Sequence, residues 1–254
     1  MPTISIHGIP IHYDRTGGGA PTLCLVHGSA GSTTVWIRQL EGLADSAQAI
    51  ALDLPGHGRS GGEGCLTIGE YVAIVHGFVE ALKLEKLVLG GHSLGGAVAQ
   101  AFALAHPERL AGLVLVGTGA RLRVLPRIFE LLEQDYPEGA RFITQLAVST
   151  GAPAELVESL FHQTLGTPRS VTLGDLRACD AFDVMERVSA IEVLTLVISG
   201  TEDQLTPPKY AHFLRDRIPG GRLALIAGAG HYVQLERADE TTAAIREFLA
   251  TLPQ

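Results

Sequence analysis

The sequence predicts an α/β fold built on one mostly parallel sheet with helices on both faces, and three observations carry that expectation. Short apolar runs rich in β-branched residues recur along the chain, and from the third onward they are apolar at nearly every position, as strands covered on both faces are. Most of these runs are separated by stretches of helical length and period. Apolar residues make up 46% of the 254 and charged residues 18%, which supports a packed core in a single domain and leaves too little charge for a disordered tail.

Taken in order, TISI and IPIHY straddle Gly8 and read as an opening hairpin. PTLCLVHG (21–28), AQAIALDLPG (47–56), KLVLGGHS (86–93), LAGLVLVG (110–117), VLTLVISG (193–200) and GRLALIAG (221–228) follow, giving eight expected strands. Helices are expected over 67–84, 96–110 and 239–252, where apolar residues recur at helical spacing. The alternation breaks once. Between 121 and 189 no strand pattern stands out; apolar residues such as Leu125, Phe129 and Leu132 keep helical spacing between Pro126, Pro137, Pro153 and Pro168. This segment reads as a helical insertion between two parts of one core, 1–120 and 190–254.

The formal net charge of -8 and the lack of a Lys/Arg block argue against nucleic acid or an anionic membrane as partner. The start lacks a basic leader, and no stretch approaches the roughly eighteen apolar residues of a membrane span, so a soluble cytoplasmic protein is expected. Cys24, Cys65 and Cys179 are odd in number and form no CxxC pair, which suggests neither a disulfide framework nor a metal site.

The segment LVLGGHSLGGAVAQAF places Ser93 between two pairs of glycines, after a strand run and before a helical one. A serine at the apex of a tight strand-to-helix turn needs glycine two residues to either side, because side chains there collide with the adjoining strand and helix. The turn aims the hydroxyl out of the sheet's carboxyl edge and leaves the Leu94 N–H at the positive end of the helix. With 30 glycines in the chain, roughly 0.15 GxSxG matches arise by chance, so the strand and helix around the motif carry much of its weight.

A serine nucleophile requires a base and an acid to orient it. His231, in LIAGAGHYVQLE after the last strand, lies at the same sheet edge as Ser93 and is the expected base. His92 should pack beneath the turn, and His27 and His57 should bond backbone in their glycine-rich loops. Asp203, after the seventh run, is the expected acid, with Glu202 as the alternative; the order Ser, Asp, His fits the fold. Asp53 reads as a turn-stabilising aspartate. The amides of Ser29, in the loop after the third strand, and of Leu94 are the expected pair of donors to an oxyanion.

These motifs together resemble the α/β-hydrolase superfamily: HGSAGSTTVW, DLPGHGRS, GHSLGG, SGTEDQLTP and GAGHYVQLE fall in family order over nearly the whole chain. The resemblance implies an eight-stranded α/β-hydrolase fold with a helical cap at 121–189, a Ser93–Asp203–His231 triad, Ser29 and Leu94 as oxyanion donors, and neither cofactor nor metal. Within the superfamily the chain is similar to small carboxylesterases, enol-lactonases and pimeloyl-carrier methyl ester esterases. A small-molecule ester substrate is expected. Cleavage of a carbon–carbon bond, perhydrolysis, or slow-turnover ligand sensing that signals to a protein partner are the alternatives. Leu125, Phe129, Leu132, Phe142 and Leu146, along with Leu122, Leu160 and Phe161, are candidates to line an acyl pocket. Arg121, Arg123 and Arg127 are a candidate contact for a substrate carboxylate or an acidic acyl carrier.

Overall fold

The computed structural model describes residues 2–253 and contains one eight-stranded sheet in the order β1-β2-β4-β3-β5-β6-β7-β8. The strands are β1 (Thr3–Ile6), β2 (Ile9–Thr16), β3 (Thr22–Val26), β4 (Gln48–Leu52), β5 (Leu87–His92), β6 (Leu110–Val116), β7 (Thr195–Gly200) and β8 (Arg222–Ile226). His7 and Gly8, both at positive φ, make the two-residue turn that twists β1 onto β2. β2 then runs antiparallel to β4, and every later pairing is parallel.

The period of two along each strand sorts side chains into two cores. Cys24, Val26, Ile50, Leu52, Leu89, Leu113 and Val197 face one layer, which holds α2 (Ile68–Ala81), α3 (Leu94–Ala105) and α8 (Pro208–Arg217). Leu23, Leu25, Ala49, Ala51, Val88, Val114 and Ile198 face the other, with α1 (Ile37–Gly42), α9 (Val233–Glu236) and α10 (Ala238–Leu249). α2 begins where Thr67 accepts from the Glu70 N–H while the Glu70 carboxylate accepts from the Thr67 N–H, satisfying two amides that have no intrahelical acceptor.

Four helices, α4 (Pro126–Gln134), α5 (Tyr136–Ala147), α6 (Ala154–Gly166) and α7 (Arg169–Ala181), occupy the stretch between β6 and β7. All four prolines expected to punctuate this region stand at helix starts, where a missing N–H costs nothing: Pro126 and Pro137 within the first turn, and Pro153 and Pro168 just before α6 and α7. All three expected helices end earlier than their patterns: 67–84 is observed as Ile68–Ala81 and 239–252 as Ala238–Leu249, and the largest change is at the third. The helix expected over 96–110 starts at Leu94 and ends at Ala105, because Ser93 makes the turn in a single residue and Pro107 cannot continue the ladder. Among the described residues no helix is long and apolar enough to cross a membrane.

Strand order reverses between β3 and β5: β3 lies between β4 and β5, so the loops after β3 and β5 leave the sheet side by side at its carboxyl edge. Such a switch point opens a crevice without any insertion of side chains. Ser29 and Ser93 lie in these two loops.

Candidate active site

Ser93 has φ 53° and ψ −115°, a conformation that a residue with a Cβ adopts only under restraint from its surroundings. The restraints are visible. Its N–H donates to the Val116 carbonyl at 3.0 Å, and its carbonyl accepts from the Gly96 N–H, the Ala97 N–H and the Thr118 hydroxyl. A Cβ on Gly91 would stand 2.0 Å from the Gly95 carbonyl oxygen, and one on Gly95 would stand 2.3 Å from the Val26 carbonyl oxygen. The outer glycines face side chains instead, Leu25 at Gly90 and Thr118 at Gly96. Gly95→Ala should therefore destabilise the protein by roughly 3 kcal/mol or more, since backbone cannot move aside as a side chain can; urea unfolding of the purified variant measures this.

Asp203 follows β7 in a turn that supplies three of the four donors to its carboxylate. Oδ1 accepts from the Leu205 and Thr206 N–H groups at 2.9 and 2.8 Å; Oδ2 accepts from the Thr206 hydroxyl at 2.7 Å and from His231 Nδ1 at 2.9 Å. Burial alone would raise this carboxyl, but the adjacent His231 and these hydrogen bonds outweigh it and hold Asp203 below the usual carboxylate range. An ionised Asp203 keeps the proton of His231 on Nδ1 and leaves the Nε2 lone pair free. Glu202 points elsewhere and accepts from the Thr150 N–H and hydroxyl, both at 3.1 Å.

The His231 loop is fixed from two sides. Its N–H donates to the Ala147 carbonyl at the end of α5, and its carbonyl accepts from His92 Nε2 at 3.0 Å. The rings of His92 and His231 lie 4.6 Å apart, so His92 supports the imidazole from beneath the turn. Burial and the neighbouring His231 hold His92 well below its ordinary value, so it is neutral. His27 is likewise neutral, pulled down to about 3 by burial and by His57; it accepts from the Leu54 N–H and donates to the Gly28 carbonyl. Asp53 accepts from the Thr33 and Arg59 amides and is raised by burial, which is the behaviour of a turn-holding aspartate.

After β3, the backbone at Gly28 runs so close to the serine turn that an added Cβ would stand 3.1 Å from the Ser93 Cβ. Ser29 follows immediately. Leu94 opens α3, where amides have no intrahelical acceptor. Both amides thus belong to segments that flank Ser93.

Two cavities meet at these groups. One, of about 270 Å³, is walled mainly by apolar side chains, among them Leu122, Val124, Ile128, Leu176 and Leu205, with Arg123, Lys209 and Tyr210 also lining it. The other, of about 60 Å³, lies against Ala30, Thr144, Ala147 and Thr172. Ser29, Ser93 and His231 line both.

The expected pocket residues divide. Leu125 lines the larger cavity, whereas Leu132 is fully buried beside Ile128 and Leu173, with Phe129, Phe142 and Leu146 packed around that cluster. Leu160 and Phe161 are also buried, and Leu122 does reach the cavity. Helical spacing shows that a face is apolar but not what it meets, so Ile143, Leu176, Leu205 and Tyr210 went unforeseen. Of the three arginines, Arg121 and Arg123 share Asp183, each at 3.8 Å, and Arg127 pairs with Glu130 on its own helix. Thr206 was also missed; the TPP turn following Asp203 is the signal that marks a hydroxyl and two amides returning to the carboxylate.

A family model described as the alpha/beta hydrolase fold matches residues 21–238. The chain belongs to that family, and its eight-stranded, mostly parallel sheet is the fold that the motifs implied. It is 28% identical to the 2-hydroxymuconate semialdehyde hydrolase of a Pseudomonas species, over 96% of this chain and 91% of that protein. A thermophilic esterase from Thermogutta terrifontis superposes with a TM-score of 0.88 at 31% identity, covering 98% of each chain. The enol-lactonase of Burkholderia xenovorans LB400 superposes with a TM-score of 0.91 at 25% identity, covering 98% of this chain and all of that one.

Proposed function

We propose that this α/β-hydrolase cleaves carboxylic esters or lactones through an acyl-enzyme on Ser93. The observation that carries the reading is the 2.9 Å pairing of Asp203 with His231 Nδ1 in a wall shared with a serine held at the apex of a strand-to-helix turn. His231 Nε2 takes the Ser93 proton as Oγ attacks the carbonyl carbon, and the Ser29 and Leu94 amides receive the charge that develops on the carbonyl oxygen. Collapse of the tetrahedral intermediate breaks the bond to the alcohol oxygen, which leaves with the proton held by His231. A water molecule then gives its proton to His231 and attacks the acyl group, releasing the acid and restoring Ser93.

In this reading α4 to α7 are a cap over the site, and 121–189 is the cap segment of a core formed by 1–120 and 190–254. The unequal cavities support a substrate with two unequal parts: a medium-sized apolar group suits the larger, and a group of two or three heavy atoms the smaller. Because Arg123 is the only one of the three arginines to line the larger cavity, a small-molecule ester fits this geometry better than a carrier-linked one.

A panel of p-nitrophenyl esters tests the reading. Turnover should be rapid and repeated, with kcat/KM rising from acetate to about hexanoate and falling beyond it as the chain outgrows the cavity. An activated phosphonate ester should lose its leaving group to Ser93 Oγ and add the mass of the phosphonyl group. No turnover on any ester, with no adduct, would refute the proposal. Similarity to the 2-hydroxymuconate semialdehyde hydrolase supports a second reading, hydrolysis of a carbon–carbon bond beside a carbonyl group. Cleavage of a vinylogous diketone faster than of every ester would favour it.

A further inference from the structure

Asp175 lies on α7, is fully buried, and lines neither cavity. Nothing in ester hydrolysis calls for a carboxylate at that place, yet three other parts of the chain converge on it. Oδ2 accepts from the Ala30 N–H at 3.1 Å and from His57 Nε2 at 2.9 Å, and Oδ1 accepts from the Tyr71 hydroxyl on α2. Tyr71 accepts in turn from the Cys65 N–H.

The proton inventory fixes the charges. His57 Nδ1 faces the Pro55 carbonyl, which only accepts, while Nε2 faces a carboxylate oxygen that already receives the Ala30 N–H. With Asp175 held below the ordinary carboxylate range and so ionised, its oxygen can only accept, both ring nitrogens carry protons, and His57 is an imidazolium paired with it. Burial works against both charges, but each outweighs that cost for the other: His57 lies above its ordinary value and Asp175 below. Buried pairs of this kind are a weak source of net stability compared with apolar packing, so stability alone is a poor explanation for this one.

What the pair holds is the loop after β3. Ala30 has φ 51°, a left-handed conformation unfavourable for a residue with a side chain, and it directly follows Ser29. Its N–H is bound by Asp175, and its carbonyl accepts longer bonds from Gln163 at 3.5 Å and Thr167 at 3.4 Å. All three partners come from the segment between β6 and β7, Gln163 on α6, Thr167 just after it and Asp175 on α7, and the charged one makes the shortest bond.

We infer that Asp175 is a positioning residue: by binding the Ala30 N–H it fixes the peptide plane after Ser29, and together with the bonds from His27 Nδ1 and the Gly31 N–H to the Gly28 carbonyl, which hold the plane before it, aims the Ser29 amide at the oxyanion. The inference rests on the ester-hydrolase reading of Ser93 and on Ser29 as an oxyanion donor. It ties the seating of α7 on the core to assembly of the oxyanion site. Because Leu176, the next residue, lines both cavities, a merely structural disturbance at 175 would alter substrate binding and appear in KM.

The test compares Asp175→Ala with Asp175→Asn, reading kcat and KM on p-nitrophenyl butyrate and the affinity of phenylboronic acid, which becomes tetrahedral on taking up the Ser93 oxygen. Asp175→Ala should lower kcat about 10- to 100-fold with KM within about twofold, and weaken the boronate by the same factor as kcat. Asp175→Asn, which keeps an oxygen to accept the Ala30 N–H, should recover most of the loss. A folded Asp175→Ala with unchanged kcat, or a loss confined to KM, would overturn the inference. Should that variant not fold, Tyr71→Phe decides: removing one anchor of the carboxylate should lower kcat about threefold at constant KM, and an unchanged kcat would count against the role. A wild-type protein that neither turns over esters nor binds the boronate would instead bring down the ester-hydrolase reading beneath it.

Discussion

Ser93→Ala should lower kcat on p-nitrophenyl butyrate by about 10⁴- to 10⁶-fold, while the variant folds and unfolds in urea like the wild type. The expectation follows from two independent features of the site. Alanine occupies the same strained backbone as serine, because the glycines at 91 and 95 relieve the crowding and the bonds through the Ser93 N–H and carbonyl do not involve the hydroxyl. The hydroxyl oxygen, by contrast, is the only atom at the apex able to form the acyl bond. Residual rate above water would come from the oxyanion donors and binding alone. A phosphonate should label the wild type and leave Ser93→Ala unmodified by mass spectrometry. Activity within tenfold of the wild type would remove Ser93 from the mechanism.

Asp203→Asn should cost about 10³- to 10⁴-fold in kcat at neutral pH, equivalent to about 4 to 5.5 kcal/mol of transition-state stabilisation. The size and neighbours of the side chain hardly change, so the loss reports the state of the proton. With a carboxylate at 203, Oδ2 accepts from His231 Nδ1 and the free lone pair on Nε2 is available to the serine. An asparagine amide turned toward Nδ1 donates instead, which places the ring proton on Nε2, where it blocks proton removal from Ser93. Glu202→Gln is the matching control. Its carboxylate holds Thr150 and has no bond to His231, so kcat should stay within about threefold of the wild type. A larger loss in Glu202→Gln than in Asp203→Asn would exchange the two assignments.

Both predictions concern residues that were legible in the sequence, and the reason is physical. GxSxG is a steric requirement: Gly91 is needed because the turn folds Gly95 back onto it, a property of five consecutive residues, and Gly95 because α3 starts against the Val26 carbonyl at the end of the neighbouring β3. Asp203 and His231 were legible because each follows a strand, and parallel strands deliver their carboxyl ends to one edge. Runs apolar at nearly every position also foretold a core on both faces of the sheet. Less of the site's surroundings could be read. Thr206 supports Asp203 through a turn whose exact shape depends on packing against the His231 loop, and His92 supports His231 through a contact across 139 residues.

The helices between β6 and β7 were the least legible part. Leu125 and Leu132 obey the same helical spacing, yet one lines the larger cavity and the other is sealed among Ile128 and Leu173. Asp175 stood in an ordinary amphipathic stretch, with no motif around it to suggest that its carboxylate meets His57, Tyr71 and Ala30. What the sequence determined by itself is the frame: eight strands, the order of the loops that follow them, and a serine, an aspartate and a histidine at the ends of three of them, because each depends on local sterics and on strand and helix patterning. Only the tertiary structure decided which faces of four helices border the cavities and which buried charge grips the loop after β3. Those outcomes depend on how whole helices are rotated and seated against the sheet, and that is settled by the summed packing of distant residues, not by any stretch of neighbours.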